Sequence, residues 1–169
     1  MEANELLLDL FGRITEHLHE AMDGLDVEAL TTPPEPGTNP IGWLIWHATR
    51  VQDHHIAEIL GEEQVWITGG WAPRFGVAAD AHNTGYAHTW DDVLAIRPET
   101  AAVLVEYYEA VAARTFEMLE HTTAEDLDRI VDRRWDPPVT LGARLVSIAD
   151  DDIQHTGQAS YARGLLERR

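Results

Sequence analysis

The sequence predicts an all-α fold: a four-helix bundle with one long crossover connection. Three observations predict it. Apolar residues recur every three or four positions through four long stretches, the helical period. Val and Ile are too few and too scattered to build a sheet. One long aperiodic segment, residues 61–89, separates the first two helical stretches from the last two, as a crossover requires.

Each element follows from local chemistry. Leu7, Leu10, Phe11, Ile14, Leu18 and Met22 lie on one face of a first amphipathic helix that ends near Gly24. Thr31–Thr38, TTPPEPGT, is a rigid connector. Asn39 as N-cap and Pro40 in the first turn open a second helix, which carries Ile41, Leu44, Ile45, Ala48, Val51, His55 and Ile59 to Gly61.

The segment 61–89 then loses the period. It holds Trp66, Gly69-Gly70, Trp71, Pro73, Phe75, His82, Tyr86 and His88, and a loop of this length inside a small domain is commonly functional, for example as a lid. Trp71, Phe75 and Tyr86 are its candidate pocket walls, whereas Trp43, Trp46 and Trp66 are read as core. Pro98 opens a third long helix bearing Ala102, Val105, Tyr108, Val111, Ala112 and Leu119. Thr122 and Glu125 read as the capping box of a short helix with Leu127 and Ile130. Thr140 caps the last helix, whose apolar stripe is Leu141, Leu145, Ile148, Ala159 and Leu166. No repeat or composition shift divides the chain, so residues 1–169 form one domain, long enough to bury a core without staples.

Composition narrows the function. With 30 Asp and Glu against 12 basic residues the net charge is −18, a surface that repels nucleic acid and anionic membranes. All the basic residues are Arg, so lysine-based covalent chemistry is absent, and the bias reads as a coding preference. The absence of Cys removes disulfides, thiolate metal ligands and a protein-borne thiol nucleophile. The acidic N-terminus is unlike a signal peptide and no apolar run spans a bilayer, so a cytoplasmic location is expected.

Candidate ligands lie far apart in the chain. Asp151 and His155 are four residues apart, one helical turn on one face. On a wheel of about 100° per residue with Leu141 at zero, Asp152 falls at about 20°, His155 at about 320° and Asp151 at about 280°. Two carboxylates and an imidazole therefore border the buried face, where an unpaired carboxylate is costly. Ordinary readings exist: Arg144 or Arg50 as partner for Asp151, a Tyr hydroxyl for Asp152, and His155 as a satisfied core histidine. A divalent cation, shared with a second helix as bundles permit, is the other solution. With Ile41 at zero, His47 falls at about 240°, His54 at about 220° and His55 at about 320°. The wheel does not choose between His47 and His55. His17, His19 and His121 fall on solvent-facing positions.

Two segments carry a resemblance. Asn39-Pro-Ile-Gly-Trp-Leu-Ile-Trp-His47 and Asp151-Asp-Ile-Gln-His155-Thr-Gly-Gln158-Ala-Ser-Tyr-Ala-Arg-Gly164 resemble the DinB-like superfamily of metalloenzymes. That superfamily includes mycothiol-dependent maleylpyruvate isomerase and thiol S-transferase branches. Its pattern is one His on the second helix and a His-x-x-x-His or Glu-x-x-x-His pair on the last. The resemblance implies His47 and His155 as ligands, with Asp151 standing where the family has His or Glu.

It further implies a divalent metal, zinc or nickel, and a mycothiol-type cosubstrate that attacks a small electrophile. Arg50 is then expected to bind a carboxylate and Gln158 to orient a ligand, with His55 and Asp152 in supporting positions. Residues 66–88 are expected to close over the site. A metal-dependent hydrolase and a non-catalytic stress-related bundle are the alternatives, and a homodimer is compatible with both.

Overall fold

Hydroxyl and carboxyl caps fix where most of the helices begin in the computed structural model, which describes residues 1–168. Helix α1 (Ala3–Met22) starts at a Glu2/Glu5 capping box. Helix α2 (Val27–Thr31) is short and capped by Asp26, which accepts from the Ala29 amide. Helix α3 (Ile41–Leu60) begins one residue later than the sequence suggests, because Pro40 itself takes the extended cap conformation. It ends at left-handed Gly61, with φ of 69°.

The segment read as an aperiodic loop is partly helical. It contains α4 (Val65–Thr68) and a 3₁₀ turn at Ala72–Phe75, and is followed by α5 (Trp90–Ala95) behind a Thr89/Asp92 capping box. Pieces this short have no amphipathic period to detect. Helix α6 (Ala101–Glu120) is capped by Thr100, so Pro98 lies before the helix instead of opening it.

The short helix expected after Thr122 is replaced by other structure. The capping pair is Thr123 with Asp126, one residue on, and it opens only a 3₁₀ turn at Asp126–Asp128. Ile130 then lies in β1 (Ile130–Asp132), which pairs antiparallel with β2 (Val139–Thr140). This small hairpin is the sheet that composition argued against. Helix α7 (Leu141–Leu166) follows at once, capped by Thr140 as its sequence indicates.

Helix α3 packs against α6 and α7, and α1 packs against the same two helices, so α1 and α3 stand on opposite corners of the bundle. One apolar cluster gathers Trp43, Trp46, Trp66, Phe75, Leu104 and Tyr107, the other Phe11, Ile14, Ile56, Leu119, Leu145 and Ile148. Trp71 packs beside the first cluster and Phe75 belongs to it, so both contribute to the core. A Cβ at Gly42 would lie 2.9 Å from the Leu30 carbonyl oxygen, so the start of α3 touches α2 with no room for a side chain. Among the described residues no helix is long and apolar enough to cross a membrane.

Candidate metal centre

The α3–α7 seam brings His47, Asp151 and His155 together. One nitrogen or oxygen from each lies within 4.8 Å of the other two. Asp151 Oδ1 stands 4.0 Å from His47 Nε2 and 3.6 Å from His155 Nε2, too far for good hydrogen bonds. Ligands held about 2.0–2.2 Å from one tetrahedral ion stand about 3.4 Å apart, so a small contraction fits this donor set to a divalent cation. Asp151 Oδ2 is buried with no hydrogen-bond partner, the kind of orphaned atom an ion explains. The ordinary partners weighed from sequence are engaged elsewhere: Arg144 with Asp132, Arg50 with Asp53.

Both imidazoles are oriented from behind. His47 Nδ1–H donates to the Thr84 carbonyl oxygen at 2.5 Å, leaving Nε2 bare toward Asp151. His155 Nδ1–H donates to Gln158 Oε1 at 3.0 Å, one turn along α7. Trp43 stacks on His47 at 4.8 Å between ring centroids, and His155 meets His47 edge-on at 4.7 Å. Burial pushes the His47 pKa down, outweighing the raising effects of Thr84 and Asp151. Burial also lowers His155, but its contact with Asp151 and that carboxylate's charge outweigh it, so His155 is raised.

The loop over His47 is built from α3. Arg50 is fully buried. Its guanidinium donates to the carbonyls of Asp80 (3.4 Å), Ala81 (3.2 Å) and Asn83 (3.1 Å). The same group reaches Gln64 Oε1 at 2.8 Å, Tyr107 Oη at 3.2 Å and Asp53 Oδ2 at 3.3 Å. Asp53 in turn accepts from the Val65 and Trp66 amides. Arg50 therefore tethers the loop and does not face a ligand, contrary to the carboxylate-binding role expected of it.

The loop then passes so close to His47 that only glycine fits. A Cβ at Gly85, where φ is 95°, would lie 2.7 Å from His47 Nδ1 and 3.0 Å from Trp46. His88 sits beneath, accepting from Trp43 Nε1 at 3.1 Å and bonding Asn83 Oδ1 at 2.8 Å, a satisfied histidine rather than a ligand.

The remaining candidates separate. His55 lies outside the triad, in a second cluster with His54 and Glu58. Its pKa falls to about 4 through burial and the nearby Arg144, with His54 adding. Asp152 is buried, both its oxygens lack partners, and the Tyr108 hydroxyl bonds Thr15 instead of it. Burial, with the charge of Asp151, pushes the Asp152 pKa well above the carboxylate range.

His47 and Asp151 of the triad open onto a cleft of about 480 Å³ whose walls include Val51, His54, His82, Thr84 and Tyr86 and which reaches Arg134. Sequence reasoning missed Thr84, Gly85 and Arg134. The first acts through a backbone carbonyl, which no side-chain pattern reveals. The signal for Arg134 is Arg133-Arg134-Trp135, an arginine pair beside an aromatic in a chain poor in cations.

With this arrangement, residues 10–159 match the sequence profile of the DinB superfamily. The chain belongs to the DinB superfamily. Among solved structures it is similar to a conserved protein from Enterococcus faecalis, with TM-score 0.90 and 28% identity over 100% of this chain and 99% of that one. A DinB-like protein from Bacillus cereus shares the fold, with TM-score 0.60 and 22% identity over 94% of this chain and 89% of that one. Among curated proteins none matches the sequence. This DinB-superfamily member places Asp151 on α7 one turn before His155, and both face His47 across the α3–α7 seam.

Proposed function

We propose that this DinB-superfamily protein is a divalent-metal-dependent enzyme that activates an external low-molecular-weight thiol of the mycothiol type. The thiol would add to a small electrophile, as S-transfer or as double-bond isomerisation. The observation that carries the reading is the three-ligand set His47, Asp151 and His155 at the edge of an open cleft, in a chain without any Cys. Three protein ligands leave a position for an exogenous ligand, the pattern of catalytic sites. A zinc or nickel ion held there would lower the pKa of a thiol bound in that position.

The chain's own residues supply the rest. Thr84 and Gln158 hold the two imidazoles with Nε2 forward. Asp151 offsets part of the ion's charge. The Arg50-tethered loop and the Trp43 ring exclude water from one side of His47, so access is from the cleft. His54 accepts from Gln64 Nε2 at its Nδ1, which leaves the proton of the neutral ring on Nε2.

Zinc-loaded protein should conjugate mycothiol to 1-chloro-2,4-dinitrobenzene in proportion to bound metal. Turnover of an ester substrate that thiol does not change would assign water as the nucleophile and reject the thiol reading.

A further inference from the structure

The cleft does not end at the triad. It runs to Arg134, and beyond that side chain a second hollow of about 470 Å³ is walled by His55, Asp132, Trp135 and Arg144. We propose that this far end is a subsite for the carboxylate of a small organic anion, recognised by the Arg134 guanidinium. The proposal rests on the cleft being the substrate site and names the substrate class it would take.

The guanidinium is already aimed. Asp132 accepts from Arg134 Nε at 2.9 Å and Nη2 at 2.9 Å, a two-point clamp that fixes the plane of the fork. Arg144 Nη2 holds the same carboxylate at 2.8 Å, so two cations share one buried acid. Among the described residues Arg134 Nη1 donates to nothing. Glu58 also contacts Arg134 Nη2 at 2.8 Å, but that pair is exposed and weak, and an incoming carboxylate can replace it. A planar fork with free donors suits a carboxylate better than an ammonium would.

The contacts of the neighbouring imidazoles separate anion from cation. His54, His55 and Glu58 present ligand atoms within 4.8 Å of one another, a nominal second metal cluster. Arg144 Nη1, however, lies 3.4 Å from His55 Nε2, and Arg134 occupies Glu58. Burial, then the Arg144 guanidinium with His54 and Arg134 adding, lowers the His55 pKa against the opposing charge of Asp151, so this second cluster is poorly placed to take a cation. Asp132 and Glu58 match the two guanidiniums in charge, so the incoming carboxylate binds by exchanging with the exposed Glu58 and using the free Nη1 donors of Arg134. Tyr86 and Trp135, 89% and 66% exposed, flank the subsite and can cover the apolar body of a ligand whose reactive end reaches the triad. The cleft volume suits a small molecule.

The test follows the Arg134 Nε–H and Trp135 Nε1–H signals by ¹⁵N NMR while succinate, or uncharged succinamide, is titrated into zinc-loaded and metal-free protein. Succinate should saturate both signals in both forms, and succinamide should leave them unmoved. Arg134→Gln should weaken succinate binding at least tenfold, read on Trp135, with an unchanged circular dichroism spectrum and unchanged zinc stoichiometry. Arg134→Lys, which keeps the charge but not the fork, should fall between. Succinate binding only to zinc-loaded protein, at equal strength in Arg134→Gln, would put the carboxylate on the metal and overturn the subsite. Equal shifts with succinamide, or none with either ligand, would overturn it too. Zinc stoichiometry is read separately, so failure of the subsite is distinct from failure of the metal centre.

Discussion

His47 Nδ1 and the Thr84 carbonyl oxygen lie 2.5 Å apart, which ties the tautomer of an α3 side chain to the path of a loop 37 residues later. Gly85 allows that approach, because a Cβ there would stand 2.7 Å from the same nitrogen. Gly85→Ala should therefore move His47 without touching a ligand. Zinc affinity should fall by about 10–100-fold, the usual effect of losing an outer partner of a metal-bound imidazole. Isothermal titration calorimetry reads the loss, and unaltered affinity would show that the loop does not set the His47 geometry.

Arg50 should be a stability residue as well as a loop tether. Arg50→Met leaves buried Asp53 without its cation and removes the guanidinium's bonds to three loop carbonyls, and removing one partner of a buried pair costs about 3–5 kcal/mol. Urea unfolding should show that loss, and amide exchange at residues 80–85 should rise. A variant of wild-type stability would mean the tether is dispensable.

Much of this framework is legible in sequence and some is not, for physical reasons. Long amphipathic periods and caps such as Thr140 mark the bundle, because burial of one face is written in side-chain spacing. Short pieces such as α4 and the β1–β2 hairpin carry too few residues to show a period. The wheel ranks His55 with His47, yet along the α3–α7 seam His55 meets Arg144 and His47 meets Asp151 two turns further on, a choice made by packing. The resemblance names the triad that the structure brings together. Arg50 was misread because a lone arginine one turn from a candidate ligand looks the same whether it faces a cleft or a loop.

Acid should destabilise the protein through its buried imidazoles. His55 has a folded pKa of about 4, below the ordinary value of 6.5, so its contribution is present above pH 6.5. Between pH 6.5 and 4 the unfolded chain binds the proton and the native state does not, so stability falls as pH drops. The full shift corresponds to on the order of 3 kcal/mol. His55→Gln should flatten the slope of unfolding free energy over that range, and an unchanged slope would assign it to other groups.

Asp152 should be removable without loss. Its carboxyl is buried without a partner and raised in pKa, so its contribution is present at acid pH and declines as pH rises through the folded value. Asp152→Asn should leave stability at pH 7 unchanged or improved. A loss above about 2 kcal/mol would reveal a bonded carboxylate, since charged hydrogen bonds are worth about 1.5–3 kcal/mol.

The central claim, that His47, Asp151 and His155 hold one divalent ion, is tested most directly by metal stoichiometry. Protein purified without chelator should carry close to one zinc or nickel per chain, and His155→Ala, folded by circular dichroism, should carry far less. Undiminished metal in His155→Ala, or wild-type protein that neither retains nor takes up zinc or nickel, would contradict the account.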